Sequence, residues 1–274
     1  MPSIRASIFT KNAHSRLCVQ ASEVVQMRPK INITNIRKAL RHPSLVWFLI
    51  KGHGEVQLAK EHLKIHLRQV SRMKISRDNL DSIDLVCHAI DLCSNPCYRL
   101  RNHMYLVCHY LRPSKIVETG VRAGISSAFI LKALEETGGR LYSIDLPNAE
   151  YETDDGRVYR EVLPPKSETG FAVPERLKAN WELILGDSRE KLPGLLQSIG
   201  KIDVFHHDSA HTYDLMTFEF ETAWPYLRHD GLLLSHDADR NNAFEDFCLR
   251  HSAHYRVHKS VGIASKSGTG SAKS

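Results

Sequence analysis

Residues 115–145 read KIVETGVRAGISSAFILKALEETGGRLYSID, and this stretch decides the fold. Lys115–Thr119 is a short β-branched run that stops at Gly120. A helical pattern follows from about Gly124 to Glu136, and Gly138-Gly139 ends it. Arg140–Asp145 is a second short run of strand character. Two strands joined by a single helix can lie side by side only in parallel, because the chain must cross back over the sheet between them.

The same alternation continues towards the C-terminus. After a long loop with Pro147, Gly156, Pro164-Pro165 and Gly170, Pro174–Asn180 is a brief helix and Trp181–Leu185 a strand that ends at Gly186-Asp187. Ser188 caps a helix to about Ile199, Ile202–His207 is a fourth strand, and Tyr213–Leu227 a long helix. Gly231–Ser235 is a fifth strand, Asn241–Arg250 a helix, and His254–His258 with Val261–Ala264 a closing pair of strands. Strands separated by single helices predict an α/β domain, a parallel sheet covered by helices on both faces.

Upstream, Leu80, Ile83, Val86, Cys87 and Ile90 recur at helical spacing, with Asp78 or Ser76 as the cap, and a further helix from about Tyr98 to Leu111 stops at Pro113. The chain therefore divides into a basic region with helical patches such as Glu55 to Met73 (1–77), the α/β domain (78–265) and a Ser/Gly/Lys-rich, disordered tail (266–274). The charge is uneven: residues 1–110 hold 17 Lys/Arg against 7 Asp/Glu, and residues 111–274 hold 20 against 24. The positive charges are scattered without a long run or aromatic interleaving, which fits a solvated helical surface or a self-association surface in a homo-oligomer better than a nucleic-acid arm. No run of about 18 apolar residues is present to span a membrane. The six cysteines form no CxxC pair, and the start of the chain has no export signal, so they read as reduced structural thiols of a cytoplasmic protein.

Parallel sheets bind ligands at the carboxyl ends of their strands, where the strand order reverses. The first strand ends in Glu118, Gly120 and Gly124, spaced E-x-G-x-x-x-G. That is not the G-x-G-x-x-G that cradles a dinucleotide pyrophosphate, and an acid beside the turn repels a diphosphate but suits a cationic sulfonium ligand. The second strand ends in Asp145, a carboxylate placed to accept both hydroxyls of a ribose. The third ends in Asp187 and Ser188, placed to pair with an adenine edge. Any one of these acids reads equally well as a helix cap or a loop residue; three at successive strand ends do not.

The fourth and fifth strands end in HHDSAHTY (206–213) and SHDAD (235–239). Asp208, His211, His236, Asp237 and Asp239 can converge there, and oxygen with imidazole donors at a partly open site suits a divalent cation. An unactivated hydroxyl is a poor nucleophile, and such a site helps by lowering its pKa or by taking its proton.

As an ordered set, IVETGVRAGISS, LYSIDLP, VPERLKANWELILGDSREKLPGLL, IDVFHHDSAHTYDLMTFEFETAWPYL and GLLLSHD resemble the class I, S-adenosylmethionine-dependent methyltransferases of the methyltransferase domain 24 type. That group is related to macrocin-type sugar O-methyltransferases. The resemblance covers about residues 95–265. It implies a Rossmann-like, seven-stranded sheet with a terminal antiparallel hairpin, and O-methylation of a hydroxyl on a small molecule or glycan. It implies that Glu118, Gly120, Gly124 and Ser126 line the methionine end of the cofactor, that Asp145 binds ribose, and that Asp187 and Ser188 bind adenine. It further implies magnesium on Asp208 and Asp237, with Asp208 and His211 in the catalytic role and His211 as the base. Two positions depart from the pattern. Arg122 replaces a glycine in the first turn, and His236-Asp237 stands where relatives have two successive acids. The alternatives are a non-catalytic cofactor-binding or nucleic-acid-associated module and an NAD-dependent oxidoreductase, which would need the missing dinucleotide fingerprint.

Overall fold

The computed structural model describes residues 55–71, 80–94, 103–164 and 167–266, which fall in one compact unit beginning at Gly54. The expectations for the rest of the basic region, for the caps Ser76 and Asp78, for Cys18 and Cys97, and for the tail beyond Lys266 lie outside the described residues. Three helices lead into the sheet: α1 (Glu55–Val70), α2 (Ser82–Cys93) and α3 (His103–Leu111). The cap of α2 is Asp81, whose carboxylate accepts from the Asp84 N–H at 2.8 Å. Asp81 stands directly before the helix, where its oxygen reaches an N–H in the first turn.

The α/β part runs β1 (Lys115–Thr119), α4 (Ile125–Thr137), β2 (Arg140–Asp145), a hairpin of β3 (Glu150–Glu152) and β4 (Val158–Arg160), a 3-10 turn (Glu175–Asn180) and β5 (Trp181–Leu185). It continues with α5 (Ser188–Ile199), β6 (Ile202–His207), α6 (Tyr213–Ala223), β7 (Leu227–Ser235), α7 (Ala243–Arg250), β8 (His254–His258) and β9 (Val261–Ser265). The strand order is β5-β2-β1-β6-β7-β9-β8. β5, β2, β1, β6 and β7 are parallel to one another; β9 is antiparallel to both β7 and β8. This is the seven-stranded Rossmann-like sheet with a terminal antiparallel hairpin.

Strand periodicity sorts the core. Ile116, Val204, Leu232 and Leu234 face α2, α3 and α4, whereas Val117, Phe205 and Leu233 face α5, α6 and α7. Phe205, Phe220, Phe244 and Phe247 are fully buried in the second layer, each worth roughly 1.5–3 kcal/mol of burial. Among the differences from the sequence reading, β7 begins at Leu227 rather than Gly231, and two helix ends move. Asp187, one residue earlier than expected, is the cap of α5, accepting from the Arg189 N–H at 2.8 Å. The long helix ends at Ala223, followed by a 3-10 turn at Trp224–Tyr226, because Pro225 has no N–H with which to continue it. Residues 146–174 contain the β3–β4 hairpin, whose three-residue strands are too short to show a period.

After β5 the chain crosses to β6 on the other side of β1. The reversal of strand order therefore lies between β1 and β6, and their carboxyl ends define the place to look for a ligand.

Candidate active site

At the end of β1 the chain turns at Gly120, with φ +83°. A side chain here would place Cβ 2.1 Å from the Asp208 carbonyl oxygen and 2.7 Å from the Ser209 nitrogen. The absence of a side chain thus lets the β1 turn touch the backbone that leaves β6, across the switch point. Gly124 (φ +82°) opens α4, and a Cβ there would meet Val173 at 2.5 Å. Arg122, the departure noted above, takes a left-handed φ of +52° in the middle of the turn.

Asp145, at the end of β2, braces this turn. Its Oδ1 accepts from the Val121 and Arg122 N–H groups at 2.7 and 3.2 Å, and its Oδ2 from the Thr169 hydroxyl at 3.0 Å. The returning loop lies along the turn, with Gly170 N–H donating to the Arg122 carbonyl and Ala172 N–H to that of Ala123. Asp187 ends β5 and uses Oδ1 in its cap; Ser188 behind it is buried, and its hydroxyl is among the groups that lower the Glu219 carboxyl.

Glu118 is fully buried. Its oxygens accept from Ser126 (2.8 Å), Ser127 (2.6 Å) and Ser143 (2.9 Å), and His206 Nδ1 lies 3.4 Å away. Burial pushes this carboxyl up, but the His206 ring and the serine hydroxyls outweigh it and hold the group below the usual carboxylate range. Ser126 thus turns inward to Glu118, and both support the turn from beneath.

The opposite face of the sheet carries a matching device. His207, adjacent to His206 and so pointing the other way, pairs its Nδ1 with Glu219 at 2.7 Å. Glu219, also fully buried, accepts in addition from Thr119 (2.5 Å) and Ser209 (2.9 Å). Burial again raises the carboxyl, and His207, Ser188 and Thr119 together bring it below its ordinary value. Sequence reading missed Glu219, although one signal was present: a glutamate on a helical face with Met216, Phe220 and Ala223.

Beyond Glu219, the rings of His207 and His211 stand 5.3 Å apart and those of His211 and His236 5.7 Å apart. Asp208, His211 and His236 present ligand atoms that all lie within 4.8 Å of one another. His236 Nδ1 is 3.1 Å from Asp208 Oδ1, and its Nε2 is 3.3 Å from Asp237 Oδ1. Asp237 stands behind His236, with its Oδ2 bound by Arg240 at 3.1 Å (Nε) and 2.9 Å (Nη2). Asp239 accepts from the Ser260 hydroxyl at 2.7 Å. The structure thus gathers Asp208, His211 and His236, with Asp237 one step out and Asp239 turned to β9.

The β3–β4 hairpin reaches this end of the sheet. Asp154 at its tip accepts from the Tyr213 N–H (3.1 and 3.0 Å) and from Asn241 Nδ2 (2.7 Å), and Asn241 also donates to the His211 carbonyl. Burial is the main cause that pushes the Tyr151 phenol up to about 12, and Arg240 and Asp237 are among the charges it feels. An acidic and aromatic hairpin therefore bridges the loops that follow β6 and β7.

No described helix is long and apolar enough to cross a membrane. Residues 117–238 match the family model described as a methyltransferase domain. Solved structures with a similar fold include the calicheamicin methyltransferase CalS11, 17% identical over 75% of this chain and 91% of that one, with a TM-score of 0.46. Another is the SAH-bound methyltransferase PaMTH1 of Podospora anserina, 12% identical over 98% of this chain and all of that one (TM-score 0.48). The O-methyltransferase NovP is 14% identical over 77% of this chain and all of that one (TM-score 0.46). No curated protein matches the sequence. The matched segment runs from within β1 to the loop after β7, and over it the chain is similar to methyltransferase domains.

Proposed function

We propose that the chain transfers the methyl group of S-adenosylmethionine to a hydroxyl oxygen of a small-molecule or glycan acceptor. The observation that carries this reading is the meeting of two half-sites at the switch point. The Gly120 turn and Asp145 stand on one side and the Asp208–His211–His236 cluster on the other, and Gly120 touches the Asp208 backbone.

The donor half fits the cofactor. The Gly120–Gly124 turn, pressed against the Asp208–Ser209 backbone and Val173 where a Cβ would be and supported from beneath by Glu118 and Ser126, would present its backbone to the methionine end. Among the described residues, Asp145 Oδ2 accepts from Thr169 alone, so it retains acceptor capacity for ribose hydroxyls. Asp187 and Ser188 end the next strand outward, where adenine would lie. In the acceptor half, the methyl carbon passes from the sulfonium sulfur to the acceptor oxygen as the C–S bond breaks and the C–O bond forms. The hydroxyl proton leaves to the bases of the cluster, Asp208 and His211, giving S-adenosylhomocysteine and a methyl ether. A divalent cation in this half would lower the pKa of the hydroxyl. The polar and aromatic roof of Tyr151, Asp154, Asn241 and Arg240 suits a ligand rich in hydroxyls, such as a sugar or glycoside. A cytoplasmic setting belongs to the same reading, supported by the free, buried thiols of Cys87, Cys93, Cys108 and Cys248.

The test is incubation with S-adenosylmethionine and a panel of glycosides, nucleotide sugars and phenols, reading S-adenosylhomocysteine release and acceptor mass. A mass gain of one methylene on a hydroxyl, lost in His211→Ala, is expected. Methylation confined to nitrogen or carbon would overturn the assignment of oxygen as acceptor.

A further inference from the structure

We propose that Asp208, His211 and His236 form a binding site for a borderline transition-metal ion of the zinc, iron(II) or cobalt(II) class, not for magnesium, and that Asp237 orients His236 from behind. The use of such an ion in methyl transfer rests on the reading above; its binding does not.

The donor set carries the argument. Magnesium takes oxygen ligands in a near-ideal octahedron and sheds water reluctantly, whereas imidazole suits zinc, iron, cobalt and nickel. Two imidazoles and one carboxylate make a three-ligand set that leaves positions open for an exogenous oxygen. The second carboxylate that an all-oxygen site would need is Asp237, and Arg240 holds its Oδ2 with two N–H groups.

The geometry agrees. Ligands on bonds of about 2.0–2.1 Å stand roughly 3.3 Å apart in a tetrahedral shell. Asp208 Oδ1 and His236 Nδ1 already stand 3.1 Å apart, and one donor atom from each of Asp208, His211 and His236 lies within 4.8 Å of the other two. Metal-bound histidines usually donate their other ring N–H to a carboxylate, which fixes the tautomer and the ring plane. His236 has that arrangement: Nδ1 faces Asp208, Nε2 lies 3.3 Å from Asp237, and Arg240 locks Asp237 in turn. His211 is held through its main chain, its carbonyl accepting from Asn241. His236-Asp237, where relatives carry two acids, thus becomes a ligand with its orienting carboxylate. With an ion bound, His211 would serve as a ligand, and the second carboxylate oxygen of Asp208, beside the ligating Oδ1, would remain to take the acceptor proton.

The full-length chain, stripped of metal, is titrated with cobalt(II) while its visible absorption is followed, and zinc and magnesium are then added as competitors. S-adenosylhomocysteine affinity is measured on the same samples. The expected result is a cobalt spectrum of one ion per chain that zinc removes and a large excess of magnesium does not. His211→Ala and His236→Ala should abolish the spectrum, and Asp237→Ala should weaken cobalt binding by about 10–100-fold, all three keeping their S-adenosylhomocysteine affinity. Absence of a cobalt spectrum from the wild-type chain, or its removal by magnesium, would overturn the proposal without recourse to any variant. So would a His236→Ala chain that binds cobalt as well as the parent. Cobalt binding without S-adenosylhomocysteine binding would overturn the methyltransferase reading and leave the metal site standing.

Discussion

Replacing Gly120 by alanine tests the joint between the two half-sites. Gly120 has φ +83°, and an L-residue in the left-handed region costs about 1–2 kcal/mol. The added Cβ would also lie 2.1 Å from the Asp208 carbonyl oxygen, 2.4 Å from its carbon and 2.7 Å from the Ser209 nitrogen. These are backbone atoms at a strand end and cannot rotate aside, so overpacking adds about 1–3 kcal/mol. Together the two effects reach roughly 2–5 kcal/mol, or a fall of about 4–20 °C in Tm for a domain of this size. Gly156 is the control. It has nearly the same φ, +79°, but only the Glu152 carboxylate, at 3.8 Å, near its would-be Cβ, so Gly156→Ala should carry the backbone cost alone. Thermal unfolding of both variants, with S-adenosylhomocysteine titrations at a temperature where each is folded, separates the steric part. Gly120→Ala should melt lower than Gly156→Ala and lose cofactor affinity. Equal melting temperatures together with unchanged affinity would refute the claim that the β1 turn is pressed against the β6 exit.

Asp145→Ala leaves the Val121 and Arg122 N–H groups without their carboxylate and removes the proposed ribose acceptor. Losing charge-assisted bonds worth about 1.5–3 kcal/mol should weaken S-adenosylhomocysteine at least roughly tenfold by calorimetry, and an unchanged Kd would remove the ribose role. The folded carboxyl of Glu219 is held below its ordinary value by His207 and its hydroxyl donors, in spite of burial. Its contribution to stability is therefore complete above the unfolded value of about 4.3 and is lost as pH falls through the lower folded value. Glu219→Gln should flatten that acid limb in urea midpoints measured against pH; a limb as steep as the parent's would contradict the pairing. Asp154→Ala frees the hairpin tip from Tyr213 and Asn241. It should raise the KM for the acceptor and speed hydrogen exchange over residues 150–160 while leaving cofactor affinity alone; a change confined to the cofactor would show that the hairpin serves the donor side.

The sheet was legible because buried parallel strands leave short apolar runs separated by helices and punctuated by glycine, as at Gly120 and Gly138-Gly139. β1, β2, β5, β6 and β8 fall on their expected residues for that reason. The β3–β4 hairpin was not legible, since three-residue strands with exposed Glu150, Glu152, Val158 and Arg160 carry no apolar alternation. The strand-end acids could be located from sequence, but not what each touches. Glu118 and Glu219 occupy opposite faces of the sheet, each opposite one of two adjacent histidines, and only the fold pairs His206 with one and His207 with the other. Asp237 has a left-handed φ of +49° and pairs with Arg240, a backbone choice and a contact that residue type alone does not specify.

The most direct test of the central claim is calorimetric titration of the chain with S-adenosylmethionine, S-adenosylhomocysteine and NAD. The account predicts that the two adenosyl compounds compete for one site per chain, that Asp145→Ala weakens both, and that NAD gives no heat of binding. Saturable NAD binding, with neither adenosyl compound bound, would contradict it.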